Sequence, residues 1–256
     1  MSVVIETRGV GKDYGEFRAL HDVSLTFSEG EVVAIVGPNG AGKTTLVNVL
    51  TGLLKPTRGD VLFRGHSIGG IGPVRLAQMG MARAFQLVQV FPQLTVFDAI
   101  AAAVVSQQRR SLDFWRATRS IAAVRDRVAE VAAIFGLGSR LDWLASYLSQ
   151  GEKKLLDIAT AFALDPTVIL LDEPTSGISS SDKRGMMDTL MEAARKAGIK
   201  TLLLVEHDMD LVAEYSTRIV AMTEGKVLAD LPPDAFFADP HLAATIVGKP
   251  LAQLRA

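Results

Sequence analysis

One stretch near the N-terminus constrains the fold more than any other part of the chain. The pattern G-x-x-x-x-G-K-[ST] is matched by Gly37-Pro38-Asn39-Gly40-Ala41-Gly42-Lys43-Thr44. An apolar run, Val32 to Val36, precedes this match, and a helical run, Thr45 to Leu53, follows it. Glycines in such a turn let successive backbone N–H groups point inward, and the following helix adds its positive end. The pattern therefore predicts a phosphate-binding loop between a buried strand and a helix.

The last residues of this loop supply side-chain chemistry. We expect Lys43 to reach the terminal phosphates of a nucleotide, Thr44 to ligate magnesium and Thr45 to lie beside them. The loop alone fits a kinase, a GTPase or an ATPase. Because the chain has no Asn-Lys-x-Asp motif for guanine recognition, the GTPase is the weaker alternative. Upstream, Tyr14 is the candidate to stack on a base, with Phe17 as the alternative.

Polar groups also follow two other apolar runs. Val168 to Leu171 ends in Asp172-Glu173, and Leu202 to Val205 ends in Glu206-His207-Asp208. These runs are typical of strands that are buried on both faces of a parallel sheet. Because ligands gather at the carboxyl ends of such strands, we expect the loop and these two polar ends to form one site.

Each of these polar residues has an expected role. Asp172, after a run of apolar residues, is typical of the acid that associates with magnesium in phosphate-loop enzymes. Glu173 comes next and is expected to orient or polarise the attacking water. His207 is a candidate donor to the γ-phosphate. A lone histidine is more often an ordinary surface or core residue, so this role depends on the neighbouring motifs.

The 256 residues suit one domain with an embedded subdomain. We expect an α/β fold, with a phosphate-loop NTPase core and a mainly parallel sheet over about residues 1–90 and 166–231. An inserted helical subdomain is expected at about 91–165 and a C-terminal helical tail at 232–256. An antiparallel side layer is predicted from short strands at Val23 to Phe27, Asp60 to Phe63, and a hairpin of Arg218 to Met222 with Lys226 to Ala229.

Composition excludes several functional classes. With 48% hydrophobic and 21% charged residues, the chain has neither a disordered nor a membrane-spanning composition, and no apolar window approaches the ~18 residues of a spanning helix. The 27 Lys and Arg against 28 Asp and Glu leave a formal net charge of −1, so no basic field indicates nucleic acid. Cysteine is absent, which excludes disulfides, thiolate zinc sites and a cysteine nucleophile. The N-terminus has no apolar signal core, so export is not expected.

A further motif lies about twenty residues before Asp172, at Leu148-Ser149-Gln150-Gly151-Glu152. Its Ser-x-x-Glu spacing predicts a capping box that opens the apolar helix Leu155 to Leu164. With this motif, the chain resembles the ATP-binding subunit of an ABC transporter over nearly all its length. The resemblance implies that Ser149, Gly151, Glu152 and the helix N-terminus serve the γ-phosphate of an ATP held by a second subunit.

The resemblance also assigns roles to other positions. It implies that Gln86 contacts Mg-ATP and joins the core to the helical subdomain, with Gln89 and Gln93 as nearby alternatives. It identifies Tyr14 as the aromatic residue that stacks on adenine and His207 as the switch histidine.

Two positions depart from the family's usual pattern. Gln150 stands where the signature usually has glycine, and Ser179 replaces the aspartate of the loop after Glu173. Because that loop runs between the two monomers in the family, the departure at Ser179 predicts weaker communication between the sites through it.

Within the family, the motifs look most like ATPases of branched-chain or hydrophobic amino acid importers. The resemblance implies ATP and Mg²⁺, and it implies three kinds of partner: a second ABC ATPase chain, integral membrane permease subunits and, indirectly, a periplasmic or extracytoplasmic solute-binding protein. No nucleic acid is expected, and the expected location is peripheral, at the cytoplasmic face of the inner membrane. The alternatives are a related importer of urea, amides or carboxylates, a soluble non-transport ABC ATPase, and a phosphate-loop kinase or GTPase.

Overall fold

A computed structural model describes residues 2–84, 91–107 and 120–247. The chain divides into two compact units, Met1–Leu76 with Lys200–Ala256, and Ala77–Ile199. In chain order, the strands and helices are β1 (Val3–Tyr14), β2 (Phe17–Ser28), β3 (Val32–Val36), α1 (Lys43–Leu50), β4 (Arg58–Phe63), β5 (His66–Ser67), α2 (Pro73–Gln78), β6 (Met81–Ala84), α3 (Val96–Gln107), α4 (Ala122–Ile134), α5 (Gln150–Ala163), β7 (Val168–Asp172), α6 (Ser180–Lys196), β8 (Thr201–Val205), α7 (Met209–Tyr215), β9 (Arg218–Thr223), β10 (Lys226–Leu231), α8 (Pro233–Ala238) and α9 (Pro240–Val247).

The first unit contains an antiparallel sheet in the order β2-β1-β4-β5. Along β2, Val23, Leu25 and Phe27 are buried while Ser24 and Thr26 are exposed. This is the alternation expected of a strand with one face on the core and one in water. The predicted antiparallel layer is therefore confirmed for β2 and β4.

The same unit also contains the strand order β10-β9-β3-β8. β3 pairs in parallel with β8, Val32 opposite Leu202, and with β9, Val33 opposite Arg218. The predicted strand pair Arg218–Met222 and Lys226–Ala229 forms the antiparallel hairpin β9–β10. The prediction that this hairpin belongs to the antiparallel layer is wrong, because β9 pairs in parallel with β3. Residues Ile219–Met222 are buried throughout, which suits a strand covered on both faces.

The tail helices pack on this sheet. Phe236 of α8 is fully buried and belongs to one core cluster with Ala34 and Val36 of β3 and Val212 of α7. Within the described residues, no helix has both the length and the apolar character needed to span a membrane.

The second unit combines the parallel pair β6–β7 with helices α3 to α6. The rings of Phe135 and Phe162 meet edge to face with centroids 5.1 Å apart, which packs the end of α4 against α5. Gly136, with φ +67°, follows the end of α4 at Ile134 and suits a left-handed helix termination. The expected bounds of the helical subdomain, 91–165, stay a prediction.

Candidate functional site

The glycine-rich loop lies between β3 and α1 and is in close contact with neighbouring backbone. A Cβ added to Gly37, whose φ is +152°, would lie 2.3 Å from the carbonyl oxygen of Met222. A Cβ on Gly42, at φ +96°, would lie 2.8 Å from the carbonyl oxygen of Ala19. Both positions therefore require glycine, for conformation and for space.

The β9–β10 turn also contacts this loop by a backbone hydrogen bond. The Gly225 N–H donates to the Ala41 carbonyl at 3.1 Å, and the Gly225 carbonyl accepts from the N–H of His21 at 2.8 Å. Within the loop, the Ala41 N–H donates to the Pro38 carbonyl at 3.1 Å. The loop is thus fixed by a turn that is distant in sequence.

Lys43 is buried at the first position of α1, with 6% of its surface exposed. Its Nζ donates to the carbonyl oxygens of Gly37 at 2.7 Å and Pro38 at 3.0 Å, so the ammonium group lies against the loop. Thr44 and the three residues Pro38, Asn39 and Gly40 are exposed. Glycine turn, helix N-terminus and ammonium group together fit a polyphosphate.

His207 follows β8 at the same end of the sheet as this loop. Ile35 and Val205 are register partners in the parallel pair β3–β8, and Gly37 and His207 each come two residues later. The His207 side chain is exposed, whereas Glu206 is buried and accepts the His207 N–H at 3.2 Å. The structure therefore places two of the three predicted strand ends on neighbouring parallel strands.

Tyr14 and Phe17 face each other across the β1–β2 hairpin. Tyr14 is 48% exposed and Phe17 is 66% exposed. The Lys12 Nζ lies 5.4 Å from the centre of the Tyr14 ring. Both rings are accessible for stacking, and the adenine role of Tyr14 stays a prediction.

In the second unit, Asp172 ends β7 and is buried. Its Oδ2 accepts a hydrogen bond from Nη2 of Arg83 at 2.6 Å, in an ion pair whose side chains are 7% and 2% exposed. Arg83 was missed by the sequence reasoning. A lone arginine in the otherwise apolar run Met81–Ala84 was the available signal, because a buried charge requires a partner.

Glu173 follows with a backbone φ of +51°. This left-handed conformation is uncommon for a residue other than glycine, and such strain concentrates at functional sites. Its carbonyl oxygen accepts a hydrogen bond from Nζ of Lys154 at 2.6 Å. Lys154 is the second residue that sequence reasoning missed.

The predicted capping box at the start of α5 is confirmed. The Glu152 N–H donates to Ser149 Oγ at 3.3 Å, and the Ser149 N–H donates to Glu152 Oε2 at 2.8 Å. Glu152 also forms an ion pair with Arg140. A Cβ on Gly151 would lie 3.5 Å from Cδ1 of Ile178, so the start of α5 lies against the loop after β7.

The remaining predicted positions are less informative. Gln86 and Gln89 lie outside the described residues, and Gln93 is exposed. Ser179 precedes α6, and its Oγ donates to Asp182 Oδ2 at 2.7 Å.

Comparisons with known proteins agree with this geometry. The family model described as ABC transporter matches residues 20–176. LivG of Salmonella typhimurium, a high-affinity branched-chain amino acid transport ATP-binding protein, is 33% identical over 253 residues, which cover 96% of this chain and 98% of LivG.

Two solved structures are similar to this chain over 90% or more of its length. One shows the ADP conformation of an ATP-binding cassette of an ABC transporter, with a TM-score of 0.83, 28% identity, and coverage of 97% of this chain and 100% of that one. The other is a dimeric post-hydrolysis state of an ATP-binding cassette bound to ADP and Pi, with a TM-score of 0.75, 26% identity, and coverage of 90% and 98%. The predicted α/β fold class and family are confirmed, and the chain belongs to the ABC transporter family as one of its ATP-binding cassettes.

Proposed function

We propose that this chain binds ATP at the loop Gly37–Thr44 and hydrolyses it to power an importer. The proposal rests on the geometry of this loop. Its glycines are packed closely against neighbouring backbone, and the Lys43 ammonium group donates to the loop carbonyls. Phosphate oxygens bound there would accept from the loop N–H groups and from Lys43 Nζ. The family and the relative solved with ADP support nucleotide as the ligand.

Magnesium would be held by Thr44, Asp172 and Gln86. Magnesium prefers hard oxygen ligands and commonly binds through one or two protein oxygens together with substrate phosphates. The exposed Thr44 hydroxyl and the Asp172 carboxylate fit that donor set. When bound, the ion neutralises charge on the phosphate oxygens.

Four side chains would then carry the chemistry. The Glu173 carboxylate orients water for in-line attack on the γ-phosphorus, and the bond to the ADP oxygen breaks. Lys43 and His207 stabilise the developing charge as hydrogen-bond donors. Ser149, beside Gly151 and Glu152 at the start of α5, contacts the γ-phosphate of an ATP bound to a partner chain, and the dimeric relative supports this arrangement.

For the transported solute, we propose branched-chain or other hydrophobic amino acids. Support comes from LivG, which aligns with nearly the whole chain at 33% identity. The chain would act peripherally at the cytoplasmic face of the membrane, with a second ATPase chain and permease subunits. A solute-binding protein outside the membrane would deliver the amino acid. Purification of the complex from native membranes, followed by identification of its permease and solute, tests this assignment.

Replacement of Glu173 by Gln tests the chemistry. The change removes the charge that orients water and keeps Lys43 and the loop N–H groups. We expect ATP binding to persist, kcat to fall about 100-fold or more, and ATP to hold a stable dimer. Lys43→Ala is the contrasting variant, because it removes a phosphate contact and should weaken ATP binding itself. Near-normal hydrolysis by Glu173→Gln would refute the role of Glu173.

A further inference from the structure

A buried lysine on α5 binds the loop that carries Glu173. Lys154 is 5% exposed, and its Nζ donates to the Glu173 carbonyl oxygen at 2.6 Å. It also donates to the Ser176 carbonyl oxygen at 3.1 Å and to Ser176 Oγ at 2.7 Å. All three acceptors belong to the segment Glu173–Ser176 that directly follows β7. Lysine is rarely buried without such partners, so this arrangement fixes the segment to α5.

The conformation of Glu173 makes this attachment consequential. Its φ of +51° persists only where surrounding contacts enforce it, and Lys154 binds the carbonyl group of this same residue. Loss of the ammonium group would free the backbone to relax toward a commoner conformation. The Glu173 carboxylate would then change direction, although its own atoms are untouched.

Two residues at the start of α5 contact this loop. Lys154 reaches Glu173 and Ser176 from the first turns of the helix, and Gly151 lies against Ile178. The same helix begins at Ser149, the residue proposed to meet an ATP held by the partner chain. The helix that serves one ATP is therefore bound, within one chain, to the backbone of the residue whose carboxylate serves the other ATP.

We propose that Lys154 is a positioning residue that couples the two ATP sites of the dimer. This inference rests on the proposed function. Engagement of a γ-phosphate at Ser149 sets the position of α5, and Lys154 transmits that position to the backbone of Glu173. The link runs inside one chain, so it does not need the aspartate that Ser179 replaces. Coupling of this kind makes hydrolysis cooperative in ATP concentration.

The test is the steady-state ATPase rate of the full-length chain over a range of ATP concentrations. Lys154→Met keeps the length and apolar stem of the side chain and removes its donors. We expect kcat to fall about tenfold or more, as for a displaced catalytic group, with ATP binding within about twofold of wild type. The Hill coefficient should fall toward one.

Three further variants separate positioning from general damage. Lys196→Met makes the same chemical change at an exposed lysine at the end of α6 and should leave kcat and the Hill coefficient unchanged. Lys154→Arg keeps charged hydrogen-bond donors, so its kcat and Hill coefficient should lie much closer to wild type than those of Lys154→Met. Ser176→Ala removes one acceptor of Lys154 without a change at Lys154 itself, so it should lower kcat several-fold. This variant tests the proposal if Lys154→Met does not fold.

Several results would overturn the proposal. Wild-type kcat and cooperativity in Lys154→Met would do so, as would a wild-type Hill coefficient of one. A loss of ATP binding and melting temperature that Lys154→Arg does not restore would leave Lys154 a structural role only. Failure of the proposed function is distinguishable, because wild type would then show no hydrolysis that depends on Glu173.

Discussion

At the scale of single residues, the most consequential contact is the buried ion pair of Arg83 and Asp172. Nη2 and Oδ2 lie 2.6 Å apart, and the side chains are 7% and 2% exposed. A buried ion pair contributes little more to stability than apolar residues of the same size would. Removal of one partner is costly, because the other charge is then buried without compensation. Arg83 therefore holds the Asp172 side chain in place before any cation arrives.

Arg83→Met should lower the free energy of unfolding by about 3 kcal/mol in nucleotide-free protein. Mg-ATP should recover part of that loss, because the ion would supply positive charge at Asp172. Urea denaturation with Mg-ATP, and with ATP and excess EDTA, measures both effects. In the double variant Arg83→Met with Asp172→Asn the loss should be smaller, since no charge is left buried alone. An equal loss in single and double variants would contradict the argument.

At the scale of elements, Arg218 ties the strands of the first unit together. Its Nε and Nη2 donate to Asp230 of β10 at 2.5 and 2.6 Å. Its Nη1 donates to the Thr26 carbonyl of β2 at 2.8 Å and to Glu31 at 3.1 Å. The hydrogen bonds to Asp230 raise the pKa of Arg218 above its usual value. The guanidinium group is therefore charged at every ordinary pH.

Arg218→Met should lower the free energy of unfolding by about 2 kcal/mol, the scale of hydrogen bonds to charged groups. Because the folded pKa is raised, this contribution is complete below the pKa of the unfolded chain and is lost only as pH rises through the folded pKa. The loss should therefore be equal at pH values of about 6 and 9. Arg8→Met, at an exposed pair with Glu6, should change stability little. A pH-dependent loss in Arg218→Met would argue against the arginine as its source.

At the scale of the whole molecule, the chain is an ATPase of the ABC transporter family, and its proposed sites are shared between two chains. Ser149→Arg places a bulky cation at the start of α5 and leaves Lys43 of the same chain untouched. ATP binding should survive while hydrolysis fails, and wild-type activity per chain should rise with protein concentration. Ser146→Arg adds the same bulk at an exposed position and is the matched control.

A mixture of chains sharpens this test. Mixing Ser149→Arg with Lys43→Ala chains yields dimers with one intact and one doubly altered site. Some hydrolysis should return in that mixture if one site fires alone. Normal hydrolysis by Ser149→Arg alone would reduce Ser149 to its capping role.

Local sequence patterns gave the predictions of local structure that are confirmed. The loop around Lys43, the strand before Asp172 and the capping box at Ser149 each depend on neighbours in sequence, and all three have the predicted local structure. Contacts between segments that are distant in sequence were not predicted. No spacing rule shows that Lys154 reaches Glu173, or that β9 pairs with β3. The roles of the site residues stay predictions, because they concern ATP and a partner chain.

The hydrogen bonds of Gly225 have a consequence for observation in solution. Its N–H is held by the Ala41 carbonyl inside the phosphate loop, while its carbonyl is held by His21. Exchange of this amide hydrogen with deuterium requires that the loop and the hairpin separate. The exchange rate of the Gly225 amide hydrogen therefore reports how often the loop opens. This rate should slow whenever a phosphate ligand tightens the loop, so occupancy of the loop can be measured without turnover.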